Sequence, residues 1–229
     1  MTALGGGSRF ADDDGAADKA VAAALAAFGA GTGTEHAALT ALAGTRLLVP
    51  VVAAPSASEQ ASEMSLPTLI GRDGRPAIPA FTGIDALARW QAGARPVPTE
   101  AGLLWRAAAA DSCAVVVDIA GPVPLAVEGA RLAALAGGRP VPLPHQDPDV
   151  QAAVRAAAAS QAAISRVGIA PGEQGSDLAI QVALVPGCGR AAGDEAVRIL
   201  GAALMTELGG RLRRGIAISA APVAPILGS

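Results

Sequence analysis

From Asp18 onward, large apolar residues recur at Val21, Leu25 and Phe28, a spacing that puts all three on one helical face. Gly29, Gly31 and Gly33 end that helix. A second short one, Glu35 to Ala43, offers Leu39 and Leu42 before Gly44. The pattern then changes. Leu47 to Val52 is a continuous apolar run, short enough for a strand buried on both faces, and Pro50 asks for an edge position or a bulge. The Ser/Ala/Glu-rich stretch Ala54 to Glu63 reads as a loop. Met64 to Ile70 and Pro76 to Phe81 flank Asp73-Gly74, a hairpin signal because glycine takes the positive φ of a tight turn. Ile84, Leu87 and Ala88 begin a short helix that ends near Trp90. Thr99 is the expected N-cap of a helix carrying Leu103, Leu104 and Ala107. Cys113 to Val117 is the clearest buried strand. Asp118, a turn at Gly121-Pro122, a strand from Leu125 to Val127 and a helix with Leu132 and Leu135 follow it.

Arg139-Pro140-Val141-Pro142-Leu143-Pro144 is extended, since alternate prolines deny a helix its N–H donors, and it marks a boundary between two units. Arg95-Pro96-Val97-Pro98 echoes it and reads as coincidence or a local turn habit, not a duplication. Beyond the boundary, Asp147-Pro148 starts a helix with Val150, Val154, Ala157, Gln161 and Ile164 on its face. Val167 to Ala170 and Leu178 to Val185 read as strands joined by a polar turn. Asp194 and Glu195 lead a helix with Val197, Leu200, Leu204 and Leu208 on one stripe, and Arg211, Arg213 and Arg214 are expected to complement its dipole. Gly215 releases a last strand, Ile216 to Ala220. The expected fold class is α/β (α+β). A flexible acidic leader (1–17) precedes an N-terminal mixed-sheet domain with flanking helices (18–145). A smaller C-terminal α/β domain (146–221) and a tail (222–229) complete the chain.

Composition narrows the function classes. Of 229 residues, 52% are hydrophobic and 16% charged, which excludes wholesale disorder. Seventeen basic against 20 acidic residues give a net charge of −3, no footprint for a nucleic-acid binder. Lys19 is the only lysine and there are 57 alanines, so alanine-rich stretches reflect coding bias more than function. Cys113 and Cys188 stand 75 positions apart outside any cysteine or histidine cluster, which fits a reducing compartment. Met1 to Arg9 lacks the basic start and apolar stretch of a signal peptide. The longest uncharged runs, 15 residues each, fall short of the ~20 that a membrane helix needs. The expected location is cytoplasmic.

Three stretches resemble the N-terminal domain of the SseB (enhanced serine sensitivity) family: Leu47 to Val52, Gly71 to Gly83 and Ile84 to Trp90. Arg95 to Pro98, Val116 to Pro122 and the helix near Leu132 keep the family's order. The resemblance spans roughly residues 18–145, and the part from Asp147 onward resembles the family's smaller C-terminal unit more loosely. It implies an α/β, cytoplasmic protein of high-GC bacteria, and it brings no catalytic motif to carry over. A secretion translocon component shares the name, but the long amphipathic helices such a component needs are absent.

Candidate chemistry is sparse. Asp118 ends an apolar strand, where open parallel sheets collect ligands; capping the turn before Gly121-Pro122 is the first reading and facing a ligand the second. His145, beside Asp147 in the Pro-rich boundary, is the more functional-looking of two histidines, and His36 has no ligand partner at metal spacing. Asp12, Asp13, Asp14 and Asp18 read as a solvated tail, not a cation site. Ser112-Cys113 has no nearby base. No GxSxG, Walker-type loop or GxGxxG occurs in a strand-to-helix context. Trp90 and Phe81 are core aromatics or, if exposed, anchors of a partner groove. The expectation is a non-enzymatic interaction or regulatory module with Trp90, Asp118 and His145 as interaction candidates. No catalytic, metal or cofactor site is expected, nor any nucleic-acid or membrane partner. The protein partner is undefined, and the chain is a monomer or homodimer. A small-molecule sensor or enzyme using a crevice near Asp118 is the alternative; secretion association rests on the shared name alone.

Overall fold

The computed structural model describes residue 10 and residues 13–53, 64–65, 67–71, 74–173 and 175–222. These fall into two compact units, one within Met1–Gly33 and Ala37–Val141, the other within Thr34–His36 and Pro142–Ser229. The architecture is α+β, with mixed and antiparallel sheets and helices packed on them.

The first unit begins with α1 (Lys19–Gly29), which Asp18 caps by accepting from the N–H groups of Ala20 and Val21. Val21, Leu25 and Phe28 are its buried face, as the spacing predicts. After α2 (Glu35–Leu42) come β1 (Arg46–Ala53), β2 (Met64–Ser65), β3 (Leu69–Ile70), β4 (Pro76–Ala80), α3 (Ile84–Trp90), β5 (Arg95–Glu100) and α4 (Ala101–Ala110). The unit closes with β6 (Ala114–Val117), β7 (Leu125–Val127) and α5 (Gly129–Ala136). One sheet has the order β3-β4-β6-β7, with β4 and β6 parallel at its centre. The other has the order β2-β1-β5 and is antiparallel. Leu48 and Phe81 exchange backbone hydrogen bonds of 2.7 and 2.8 Å and tie β1 to the end of β4. The core gathers Phe28, Leu39, Leu42, Leu47, Leu104, Trp105, Val115, Val117 and Val127. The hairpin forms between β3 and β4 with Gly74 at φ +78°; Arg72 and Asp73 lie outside the described residues, as does the expected loop from Ala54 to Glu63.

Two expectations in this unit give way to tertiary pairing. Arg95 to Pro98 is not a turn but strand β5, in register with β1 so that Pro96 faces Pro50 and Pro98 faces Leu48. Leu48 turns its N–H toward Phe81, away from β5, so positions 48 and 50 are non-hydrogen-bonded with respect to β5. Pro50, Pro96 and Pro98 therefore remove no bond from that ladder. Thr99 does not cap α4. It is the partner of Leu47 in the ladder and its hydroxyl donates to the Val97 carbonyl, leaving Glu100 at the helix start without a side-chain cap.

The second unit runs through a 3-10 turn at Pro144–Gln146, α6 (Pro148–Ala159), β8 (Ile164–Pro171), β9 (Leu178–Leu184), α7 (Arg190–Leu208) and β10 (Ile216–Pro222). Its sheet has the order β10-β9-β8, β9 pairing antiparallel to β8 and parallel to β10. Asp147 caps α6 with Pro148 at the first helical position, as expected, but the helix stops at Ala159 and Ile164 opens β8 instead of extending the helical face. The arginines after α7 differ too. The helix ends at Leu208 with no basic residue in its last turn. Arg211 instead binds Asp147 and Glu35, the latter from the Thr34–His36 piece of this unit, and Arg214 approaches Asp177.

Candidate functional site

The parallel strands β4 and β6 end side by side, Ala80 opposite Val117. Past β6 the chain turns at Asp118, whose φ of +49° is a left-handed value that aspartate tolerates better than most residues. Two backbone bonds hold that turn: the Asp118 N–H donates to the Ala80 carbonyl at 2.9 Å, and the Asp118 carbonyl accepts from the Gly121 N–H at 2.7 Å. Past β4 the chain runs through Phe81, Thr82 and Gly83 into α3. Thr82 gives both its donors to Asp118: its N–H to Oδ1 at 2.9 Å and its hydroxyl to Oδ2 at 2.7 Å. Both residues are buried, Asp118 at 7% exposure. Burial pushes the Asp118 carboxyl above its usual range; the Thr82 bonds and the charge of Arg89 pull the other way without overcoming it.

Beside this carboxylate opens a cleft of about 290 Å³. Leu25 and its neighbours on α1, with Pro122 and Val123, form an apolar wall. Asp118, Thr82, Asp85 and Arg89 supply the polar side chains. The third side is the strap Gly15 to Ala17. Arg46 on β1 fixes that strap. Its guanidinium meets the Asp13 carboxylate at 2.6 and 2.7 Å and donates to the carbonyls of Ala16 at 2.7 Å and Thr82 at 2.9 Å. The Ile84 N–H donates to the Gly15 carbonyl at 2.8 Å. Gly83 permits the close approach, since a Cβ there would stand 2.9 Å from the Ala17 nitrogen. Within the flexible acidic leader expected over 1–17, residues 15–17 line the cleft and Asp13 pairs with Arg46. Asp14 and Asp18 bond to nearby backbone N–H groups, and Asp12 lies outside the described residues.

The other sequence candidates sit elsewhere. Trp90 is half-buried and packs on Phe81 with ring centroids 5.5 Å apart, in a small cluster with Leu48, Ala86, Leu87 and Ala94. Phe81 is fully buried, while Trp90 is only partly covered. His145 belongs to the second unit, where its carbonyl accepts from the Gln151 amide at 2.9 Å; it is not among the cleft's lining residues. Cys113 is half-buried and lines a second cleft of about 240 Å³ that also holds Ser112 and the Arg75–Glu128 ion pair. Among the described residues, no group of three His, Cys, Asp or Glu side chains is placed to hold a metal ion, and no helix is long and apolar enough to cross a membrane.

Sequence reading reached Asp118 through the strand-end rule and missed Thr82, Asp85 and Arg89. A signal existed for all three: a second strand ends at Phe81, and parallel strands that end together place the residues following each of them side by side. The Arg46–Asp13 pair carried no such signal.

Residues 21–134 match the family described as SseB protein N-terminal domain. No curated protein and no solved structure matches the chain. The match covers both strand ends, α3 and the apolar wall of the cleft, while the strap precedes it and the Pro142–Ser229 part of the second unit follows it. The chain belongs to the SseB family through this N-terminal domain.

Proposed function

We propose that the chain is a non-catalytic, cytoplasmic ligand-binding module, a sensor whose first unit takes a small molecule into the cleft at the ends of β4 and β6. One observation carries the reading: Asp118 is held buried, in a left-handed conformation, against an open cleft. Burial and backbone strain both cost stability, and such costs concentrate where a protein binds something. The cleft's one hydroxyl, on Thr82, is committed to orienting Asp118, and no histidine, cysteine or lysine lines the space. That set suits recognition better than bond-making. A reducing location accords with two cysteines that stand free in the structure.

A thermal-shift screen of the full chain against pools of small soluble metabolites tests this. A ligand at a hundredfold excess over its Kd adds ~2.7 kcal/mol, roughly 5–10 °C in Tm for a chain of this size. The reading expects at least one pool to give such a shift, the shift to shrink in Asp118→Asn, and the ligand to be recovered chemically unchanged. No stabilising pool, or an equal shift in the variant, contradicts it.

A further inference from the structure

We infer that the cleft selects a small organic cation, an amine or guanidine on a short apolar body, with Asp118 as its counter-ion. This rests on the ligand-binding reading above and adds the charge of the ligand. The side chains lining the cleft carry two carboxylates, Asp85 and Asp118, against one guanidinium, Arg89. The nearby Arg46 does not tip the balance, because Asp13 neutralises it through two short contacts. Exposure separates the three lining charges further. Arg89 and Asp85 are exposed and solvated by water, whereas Asp118 is 7% exposed and depends on what the cleft holds. Each Asp118 oxygen accepts one hydrogen bond, both from Thr82. An ionised carboxylate has about four acceptor sites, so room for further donors remains. An ammonium or guanidinium supplies donors and charge together, while an anion would set a second negative charge against a desolvated one. The apolar wall of Leu25, Ala26 and Val123 then takes the ligand's body, and about 290 Å³ limits its size.

Three probes of one shape and different charge test the inference on the full chain: isobutylammonium, the neutral isobutanol and the anionic isobutyrate. The readouts are Tm at fixed ionic strength and the amide NMR signals of Thr82 and Asp118. The cation is expected to move both. Its affinity should fall about tenfold or more in Asp118→Asn, the value of a charge-assisted hydrogen bond. It should rise in Arg89→Gln, which removes the competing positive charge; a purely structural perturbation would not move the two variants in opposite directions. Alcohol or carboxylate binding as tightly as the amine overturns the cation inference while leaving the cleft a binding site. No response to any of the three also overturns it, and the metabolite screen then judges the ligand-binding reading separately.

Discussion

Asp118 is the residue on which site and stability meet. Burial raises its carboxyl above the usual 3.8, so the folded chain holds that proton more tightly than the unfolded one. Its contribution is full below 3.8 and is lost as pH rises through the raised value. Asp177 acts in the same sense: burial raises it against the bond and charge of Arg214. Asp118→Asn keeps a residue that accepts positive φ and still bonds Thr82, yet carries no charge to desolvate. Its Tm is expected above that of the wild type at pH 7, with the gap closing as pH falls toward 3.8; melts across that range check it. Asp118→Ala leaves the Thr82 N–H without its partner and puts alanine in a left-handed conformation, for a loss of ~2–4 kcal/mol in urea unfolding. Trp105 is the opposite case. Its ring is fully buried and its indole N–H has no hydrogen-bond partner, so Trp105→Phe gives up no bond. The lost ring volume and the relieved donor offset one another, and the change should stay within ~1 kcal/mol of wild type. Asp118 was legible because a strand end is visible in one sequence. Arg46–Asp13 was not, because only the fold brings together partners 33 positions apart.

At the scale of elements, α1, α3, β7 and the start of α6 were legible, since each is set by local spacing, a cap or a glycine stop. The β5 strand was not. Its prolines argue against a strand when read locally, and their acceptability depends on which positions of β1 face them. Pro96→Val should therefore leave stability within ~0.5 kcal/mol. Val97→Pro, opposite Val49 at a hydrogen-bonded position, should cost ~2 kcal/mol or more in the same unfolding experiment. The strap is the second such element. Gly83→Ala forces Ala17 away and should loosen residues 13–17, read as faster hydrogen exchange at Ile84, whose N–H bonds Gly15. In the second unit, Arg211 holds two carboxylates, Asp147 at 0% and Glu35 at 5% exposure. Arg211→Ala takes the guanidinium from both buried carboxylates and should cost ~3–5 kcal/mol.

For the molecule as a whole, the α+β class could be read from the chain, since the apolar runs and helical spacings are local facts. The cleft could not, because its walls come from a strap, two strand ends and two helices, with lining residues from Gly15 to Val123. The family match places most of that cleft inside the SseB N-terminal domain. What the chain does then turns on whether the space beside Asp118 is occupied. The most direct measurement is an amide NMR spectrum of the ¹⁵N-labelled full chain, recorded with and without a mixture of small polar metabolites. The account predicts that the largest shifts cluster at Thr82, Gly83, Ile84, Asp118 and Gly15 to Ala17, and that they shrink in Asp118→Asn. Shifts confined to other residues, or a spectrum that the mixture leaves unchanged, would contradict it.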